Sequence, residues 1–569
     1  MHRASSLKTA FLALSALAAV QPLLRAQGAD APGGPTYMLP PFIVQSVTWR
    51  YAHPPGFEVL SRWSDTKTEI FASAALAAGE MFDRVLPPEF QAKLSVPAVY
   101  ILVPDSGNDG LSAPLMAQLL AHAGTGAAPG QRPKVGFLPN LMLWDADSLA
   151  VFLVQPGRSI DLTRVVYSDE RVRLSLERRV PALPRWFIDG FCDLYQGMQF
   201  SRGAAETGTA AWMSQGQMAA LVRDPDFPRQ LLPLAEIFAD PTTSPNETKD
   251  HAVLRLAETS LFIRWALDGQ DHPRRVALWK LVSDAATGPV TEDHFAELFG
   301  EDYAWALNDL SDYLPWALTH SLPLSPVMAP ADSDIKLRDA TPAEVGRIEG
   351  DWERLEMDRV GIQFPELKPK YRDHAQDTFN LAYQDNKTDP GLLGAMGLFE
   401  LECGKPALAD PLLRKAVAGH VVRPRVYYEL VRLLFNELTN GQPGASQARL
   451  SPIQAATLLM LLDEGRAQSP PLPEEYGLYY QIALATSAKP TPAVMQACRE
   501  GVRLFPGDPT VIYEAAITLA DGGDLSAAYD VVKTGLSINS DPQLHTRLAG
   551  LQGKLESAHQ SENAAPAGN

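Results

Sequence analysis

The chain of 569 residues is short of the groups that most enzyme chemistries need in pairs. Its three cysteines, Cys192, Cys403 and Cys498, are too few and too scattered to frame a disulfide scaffold, and an odd number leaves at least one unpaired within the chain. Each lies in a helical apolar context that suits a small buried hydrophobe. The eleven histidines include no pair spaced three or four residues apart, which excludes the helical two-histidine metal site. No G-x-S-x-G elbow, P-loop or G-x-G-x-x-G fingerprint occurs. Past the N-terminus, no apolar run approaches the roughly eighteen residues of a membrane span. There is no basic excess either. The formal charge is −18 with both signs interspersed, so a nucleic-acid partner is not expected.

What is present begins with an export signal. His2, Arg3 and Lys8 precede an apolar stretch from Thr9 to Leu24, and a small residue, Ala26, offers a cleavage point. Residues 1–26 therefore read as a signal peptide. The mature protein is expected to be exported, periplasmic or extracellular, with no transmembrane segment after cleavage. Residues 27–42, rich in Gly, Pro and Ala, read as a disordered leader.

From residue 43 to 322 the elements follow an α+β order. Short strands are expected at Val44–Tyr51 and Phe57–Leu60, then an amphipathic helix over Ser64–Leu86 stopped by Pro87 and Pro88. Ala98–Val103 is an apolar run suited to a buried strand. Further strands are expected at Lys134–Leu138 and Leu149–Val154, around a loop at Pro139 and Asn140. The stretch Glu170–Phe200 then organises this half: a charged helix, a proline break, and P-R-W-F-I-D-G-F-C-D-L-Y over Pro184–Tyr195.

That second element resembles the helix of gluzincin-type metallopeptidases (the MA clan) that presents the third zinc ligand, read there as P-x-W-x-x-E-G-x-A-x-Y. Leu231–Phe238, His251–Leu267 and Phe295–Gly300 resemble later segments of the same family in the same order. The resemblance implies a small sheet packed on helices, with Asp189 standing where the family carries its glutamate ligand. It also implies an H-E-x-x-H helix before Pro181, but Arg171–Arg179 contains no histidine. Arginine cannot shed its proton to ligate a metal. The expected reading is a degenerate peptidase-like domain without catalytic residues, metal or cofactor. An ion pair from Asp189 to Arg178 or Arg173 would then link the two helices. Trp186 and Tyr195 are expected as core and rim residues. The alternative is a hydrolase with an unconventional site, either carboxylates (Asp189, Asp193, Glu177, Glu170) on a metal or a Cys192–His251 thiol pair.

Composition changes after Leu322. Residues 323–370 read as a proline-rich linker with one helix, opened by the capping box Thr341 to Glu344 and running through about Met357. Residues 371–556 show only helical periodicity. Gly397, Gly404, Ala409, Leu413 and Ala416 recur in spacing as Ala516, Gly523, Ala528, Val532 and Gly535, and Gly501 precedes Gly535 by 34 residues. This spacing resembles tetratricopeptide (TPR) repeats. The resemblance implies an all-α solenoid of four to five hairpins whose exposed face binds a protein or peptide, or whose stacking braces the first domain. Residues 557–569 read as a disordered tail.

Overall fold

Strands that alternate two apolar sets call for a sheet covered on both faces. The computed structural model describes residues 48–104, 140–154, 166–201, 204–207, 212–222, 231–239, 247–268, 273–326, 335–363, 365, 368–440, 450–538 and 542–564. The signal segment 1–26, the leader 27–42, the strand expected at Lys134–Leu138 and the last five residues lie outside these. Among the described residues no helix is long and apolar enough to cross a membrane.

In chain order come β1 (Arg50–Ala52), β2 (Phe57–Ser61), α1 (Asp65–Val85), β3 (Ala98–Val103), β4 (Asn140–Trp144) and β5 (Leu149–Val154). Helices α2 (Asp169–Glu177) and α3 (Arg185–Gly197) follow, then β6 (Met198–Ser201), β7 (Ala204–Thr207), α4 (Gln215–Leu221) and α5 (Leu234–Phe238). Next are α6 (Lys249–Leu267), α7 (Pro273–Ala285), α8 (Glu292–Phe299), α9 (Tyr303–Ala317), β8 (Leu322–Pro326), β9 (Arg338–Asp339) and α10 (Pro342–Gln363).

The larger sheet has the order β4-β5-β3-β2-β1-β9, with β2, β3 and β5 parallel and the remaining pairs antiparallel. Val59, Tyr100, Leu102, Val151 and Leu153 pack with Phe71, Ala72 and Ala75 of α1. The intervening residues face the other way, where Phe152 stacks on Trp352 of α10 with ring centroids 5.5 Å apart. Helix α6 is buried on nearly every side from Ala257 to Leu267, the pattern of a helix enclosed by others. It sits in one apolar cluster with residues from α2, α3, α5, α7, α8 and α9.

The C-terminal part is a TPR-like array of helix hairpins: α10 with α11 (Lys368–Asp385), α12 (Pro390–Glu402) with α13 (Pro406–Ala418), and α14 (Pro424–Asn440) with α15 (Pro452–Arg466). Then come α16 (Pro473–Leu484) with α17 (Pro492–Leu504), α18 (Pro509–Asp521) with α19 (Leu525–Ile538), and a last helix α20 (Pro542–Ala564). The first helices of successive hairpins, α10, α12, α14, α16 and α18, lie against one another. Asp389 and Asp508 cap α12 and α18 with a proline following each, which satisfies N–H groups the helix itself cannot. Gly397 lets α12 and α13 meet: a Cβ there would lie 2.5 Å from Leu413 Cδ2. The turn between them needs Gly404 at φ 74°.

Four sequence expectations are corrected. Asn140 is not loop but the start of β4, because Leu141–Leu143 pair with β5 and Pro139, unable to donate, stands just before the strand. The described residues within 323–370 do not form a plain linker: β8 pairs with β7, β9 pairs with β1, and α10 forms the first hairpin of the array. That helix continues past Met357 to Gln363, where Pro365 ends it. The last helix runs on to Ala564 rather than stopping at 556, since residues 557–564 contain neither Gly nor Pro.

Candidate functional site

Two clusters of opposite charges stand out, one half-exposed and one sealed. The first is where the sequence drew attention. Packing of α2 on α3 brings Arg173 to Asp189, with Nη1 donating to Oδ1 at 2.7 Å. Arg185, one turn before Asp189 on α3, donates from Nε to Oδ2 at 3.1 Å. Glu177 lies 3.5 Å from Arg173 and 3.6 Å from Arg185, closing a ring of two acids and two bases. Arg178 is outside it. As the residue that caps α2, it points to the β4–β5 turn and donates to the Ser148 carbonyl at 3.4 Å.

The other sequence-selected residues disperse. Trp186 is buried against Phe238 and Phe262. Tyr195 is core rather than rim: it is fully buried and its hydroxyl donates to the Tyr167 carbonyl at 2.7 Å. Asp193 turns inward and accepts from Gln217 and Ser260, while Glu170 is exposed. Burial pushes the Cys192 thiol up to about 12, although Arg173 pulls the other way, so it is not a ready thiolate. His251 sits between Glu236 and Glu247.

The donor set at Asp189 does not fit zinc. Both carboxylate oxygens are taken by guanidiniums, and a dication would meet two positive charges. Among the described residues, no group of three or more His, Cys, Asp or Glu is arranged to hold a metal ion.

The second cluster joins the sheet to the array. The β4–β5 turn is tied by Asp145 Oδ1, which accepts from the Asp147 and Ser148 N–H groups and the Ser148 hydroxyl. Its other oxygen accepts from Arg354 at 2.6 Å, Arg425 at 2.9 Å and Arg423 at 3.2 Å. Arg354, 1% exposed, also reaches Asp351 and Glu402, both at 2.7 Å. Burial alone would raise the Asp145 carboxyl, but these three guanidiniums hold it well below the usual carboxylate range.

Asp147, 0% exposed, accepts from Arg423 Nε at 3.3 Å and from the backbone N–H of Arg425 at 2.8 Å. It therefore caps the start of α14 from a different part of the chain, supplying the acceptor that Arg423-Pro424-Arg425 lacks. Burial, helped by the neighbouring Asp145 charge and opposed by Arg423, pushes its carboxyl up to about 6. Elsewhere along the same contact, Arg347 pairs with Glu58 of β2 at 2.6 Å. Arg359 donates to the Met142 carbonyl at 3.4 Å, and Ser95 and Ser469 exchange hydrogen bonds. None of these residues was singled out in the sequence.

No protein-family profile and no curated protein matches the chain. Solved structures to which the chain is similar match it at low identity. A Pseudomonas aeruginosa PilF structure is 16% identical, covering 38% of this chain and 95% of its own, with a TM-score of 0.25. YrrB, described as a TPR protein with an unusual peptide-binding site, is 13% identical over 37% and 99%, at 0.26. Yeast Tom70 is 10% identical over 68% and 72%, at 0.28. TM-scores this low leave the fold to be judged from the helices themselves.

Proposed function

We propose that this is a non-catalytic, exported binding protein: a peptidase-like region whose metal position has been replaced by an ion pair, carrying a TPR-like array that holds a protein or peptide. The observation that carries the reading is the exposed side of the array's first helices. Glu429 and Arg432 of α14, Gln481 of α16 and Glu514 of α18 lie on neighbouring helices and reach solvent wholly or in part. Gln481 donates across to Glu514 at 2.9 Å, joining α16 to α18. Mixed hydrogen-bonding groups on stacked helices suit an extended peptide better than a small apolar ligand.

The Arg173–Asp189–Arg185 arrangement supports loss of chemistry in the first region. A fold that keeps its shape without its ligands serves as a binding or bracing body, an argument from fold analogy. The export signal at residues 1–26 completes the reading.

The test is a peptide-display selection against the purified mature chain, followed by calorimetric titration of the enriched peptides. The expected result is binding that Gln481→Ala with Arg432→Ala weakens about tenfold, roughly 1.4 kcal/mol. Selection of no peptide, or binding indifferent to both substitutions, contradicts it. Metal content by plasma mass spectrometry should stay at background in wild type and in Asp189→Ala; near-stoichiometric metal lost in the variant would restore the hydrolase alternative.

A further inference from the structure

We propose that the seam between the large sheet and the helical array takes up protons as it closes, so that the two parts are held more tightly in mildly acid than in alkaline solution. The argument starts from α10, which lies along the seam from Arg347, paired with Glu58 of β2, to Arg359, bonded to the Met142 carbonyl of β4. Between those ends the helix carries acids into a region with little water.

At the Asp147 end, negative groups outnumber positive ones. The turn contributes Asp145 and Asp147, α10 contributes Asp351, α12 contributes Glu402, and Glu475 faces Asp147 from α16. Against these five carboxyls stand the guanidiniums of Arg178, Arg354, Arg423 and Arg425, and Arg466 beside Glu475, so the surplus comes from two further acids. Glu429 and Glu474 also face Arg425 and draw on its charge.

The surplus is not spread evenly. Asp145 has three arginines, whereas Asp147 has a single side-chain contact, at 3.3 Å. Glu475 is fully buried, and only the Leu472 N–H and the Arg466 guanidinium are turned toward its carboxyl to offset that burial. A buried carboxylate without full compensation is costly, and taking up a proton relieves that cost.

The same imbalance recurs half-way along α10. Glu349 lies beside Glu353, facing His374 of α11 and Arg62 from the edge of β2. Glu353 is already engaged by His374 Nδ1 at 2.6 Å and by the Thr378 hydroxyl at 2.9 Å. Burial and the Glu353 charge push Glu349 up to about 8, and burial likewise holds Glu475 well above the usual carboxylate range. The hydrogen bond to Glu353 raises His374 as well.

All of these shifts act in one direction. A group with a raised value in the closed state binds its proton more tightly there, so closure is favoured below that value and weakened as pH rises through it. For Asp147 the loss runs from the ordinary carboxylate value of about 4 up to about 6, and for Glu349 from that ordinary value up to about 8. Asp145 and Asp351, held low, act oppositely, but only below the ordinary carboxylate range.

The test is hydrogen exchange by mass spectrometry on the full chain at two pH values, about 5.5 and about 8.5, corrected for intrinsic exchange rates. Protection in peptides from β4–β5 and α10 is expected to be about tenfold higher at the acid value, with α18–α19 unchanged as the internal reference. Asp147→Asn with Glu349→Gln should flatten the dependence. Seam protection equal or higher at alkaline pH overturns the proposal, as does a change shared equally by α18–α19. The wild-type series decides on its own if the double variant does not fold.

Discussion

The Asp189 ring and the Asp145 network are built from the same two side-chain types, yet they have opposite standing in the molecule. The ring has Arg173 and Asp189 at 35% and 25% exposure, so water screens each pair and its loss is small. The network has Arg354 and Asp147 sealed, so each partner depends on the others for its solvation. The cluster at Asp189 is thus the weaker one. The cluster that holds the architecture carries no motif.

The comparison can be broken most sharply at Arg354. Arg354→Met should destabilise the chain by about 3–5 kcal/mol, because it leaves Asp145, Asp351 and Glu402 competing for what remains; a shift of the denaturant midpoint measures it. Acid tests the same carboxyls. Asp145 and Asp351 are held low by the arginines, so their contribution is present above the ordinary carboxylate value of about 4 and lost as pH falls below it. Stability followed by circular dichroism should drop steeply there, and the Arg354→Met variant should have a shallower acid limb.

A packing contrast of intermediate size lies in the array. Gly397→Ala pushes a methyl into buried Leu413 and should cost about 1–3 kcal/mol. Gly550→Ala, where nothing stands within 4 Å, should be neutral or stabilising by up to about 1 kcal/mol. Thermal midpoints of the two variants separate steric crowding from helix propensity. The smallest effect is expected at the ring: Asp189→Asn should change stability by less than about 1 kcal/mol. A loss as large as that of Arg354→Met would erase the distinction between the clusters.

What could be read from the sequence follows the same divide between local and distant. Gly397, Ala409, Leu413 and Ala416 announce a hairpin because the contacts they serve are close along the chain. The capping pair Thr341 and Glu344 opens α10 as its spacing implies, with each backbone N–H bonded to the other's side chain. Arg173 and Asp189 are likewise near neighbours in sequence, although the second arginine, Arg185, was not anticipated.

The seam left almost no local trace. Asp145 and Arg425 are 280 positions apart, and an Asp-Ala-Asp-Ser turn looks like any solvated loop. One physical sign was available: Arg423 and Arg425 place two cations at the start of α14, the positive end of a helix, with no side-chain cap of their own. Such a start calls for an anion from elsewhere. In α10, Arg347, Glu349, Asp351, Glu353, Arg354 and Glu356 crowd charges along one helix without any local pattern that marks their partners. Glu353, Arg354 and Glu356 are buried there and Arg347, Glu349 and Asp351 half-buried, with partners for most of them on β2, the β4–β5 turn, α11 and α12.

The most direct measurement is calorimetric unfolding of the chain beside Asp145→Ala with Asp147→Ala. If the seam makes sheet and array one cooperative body, wild type unfolds in a single transition and the double variant in two, the array separating from the sheet-bearing part. Two transitions already in wild type, or a single unshifted transition in the variant, would contradict it.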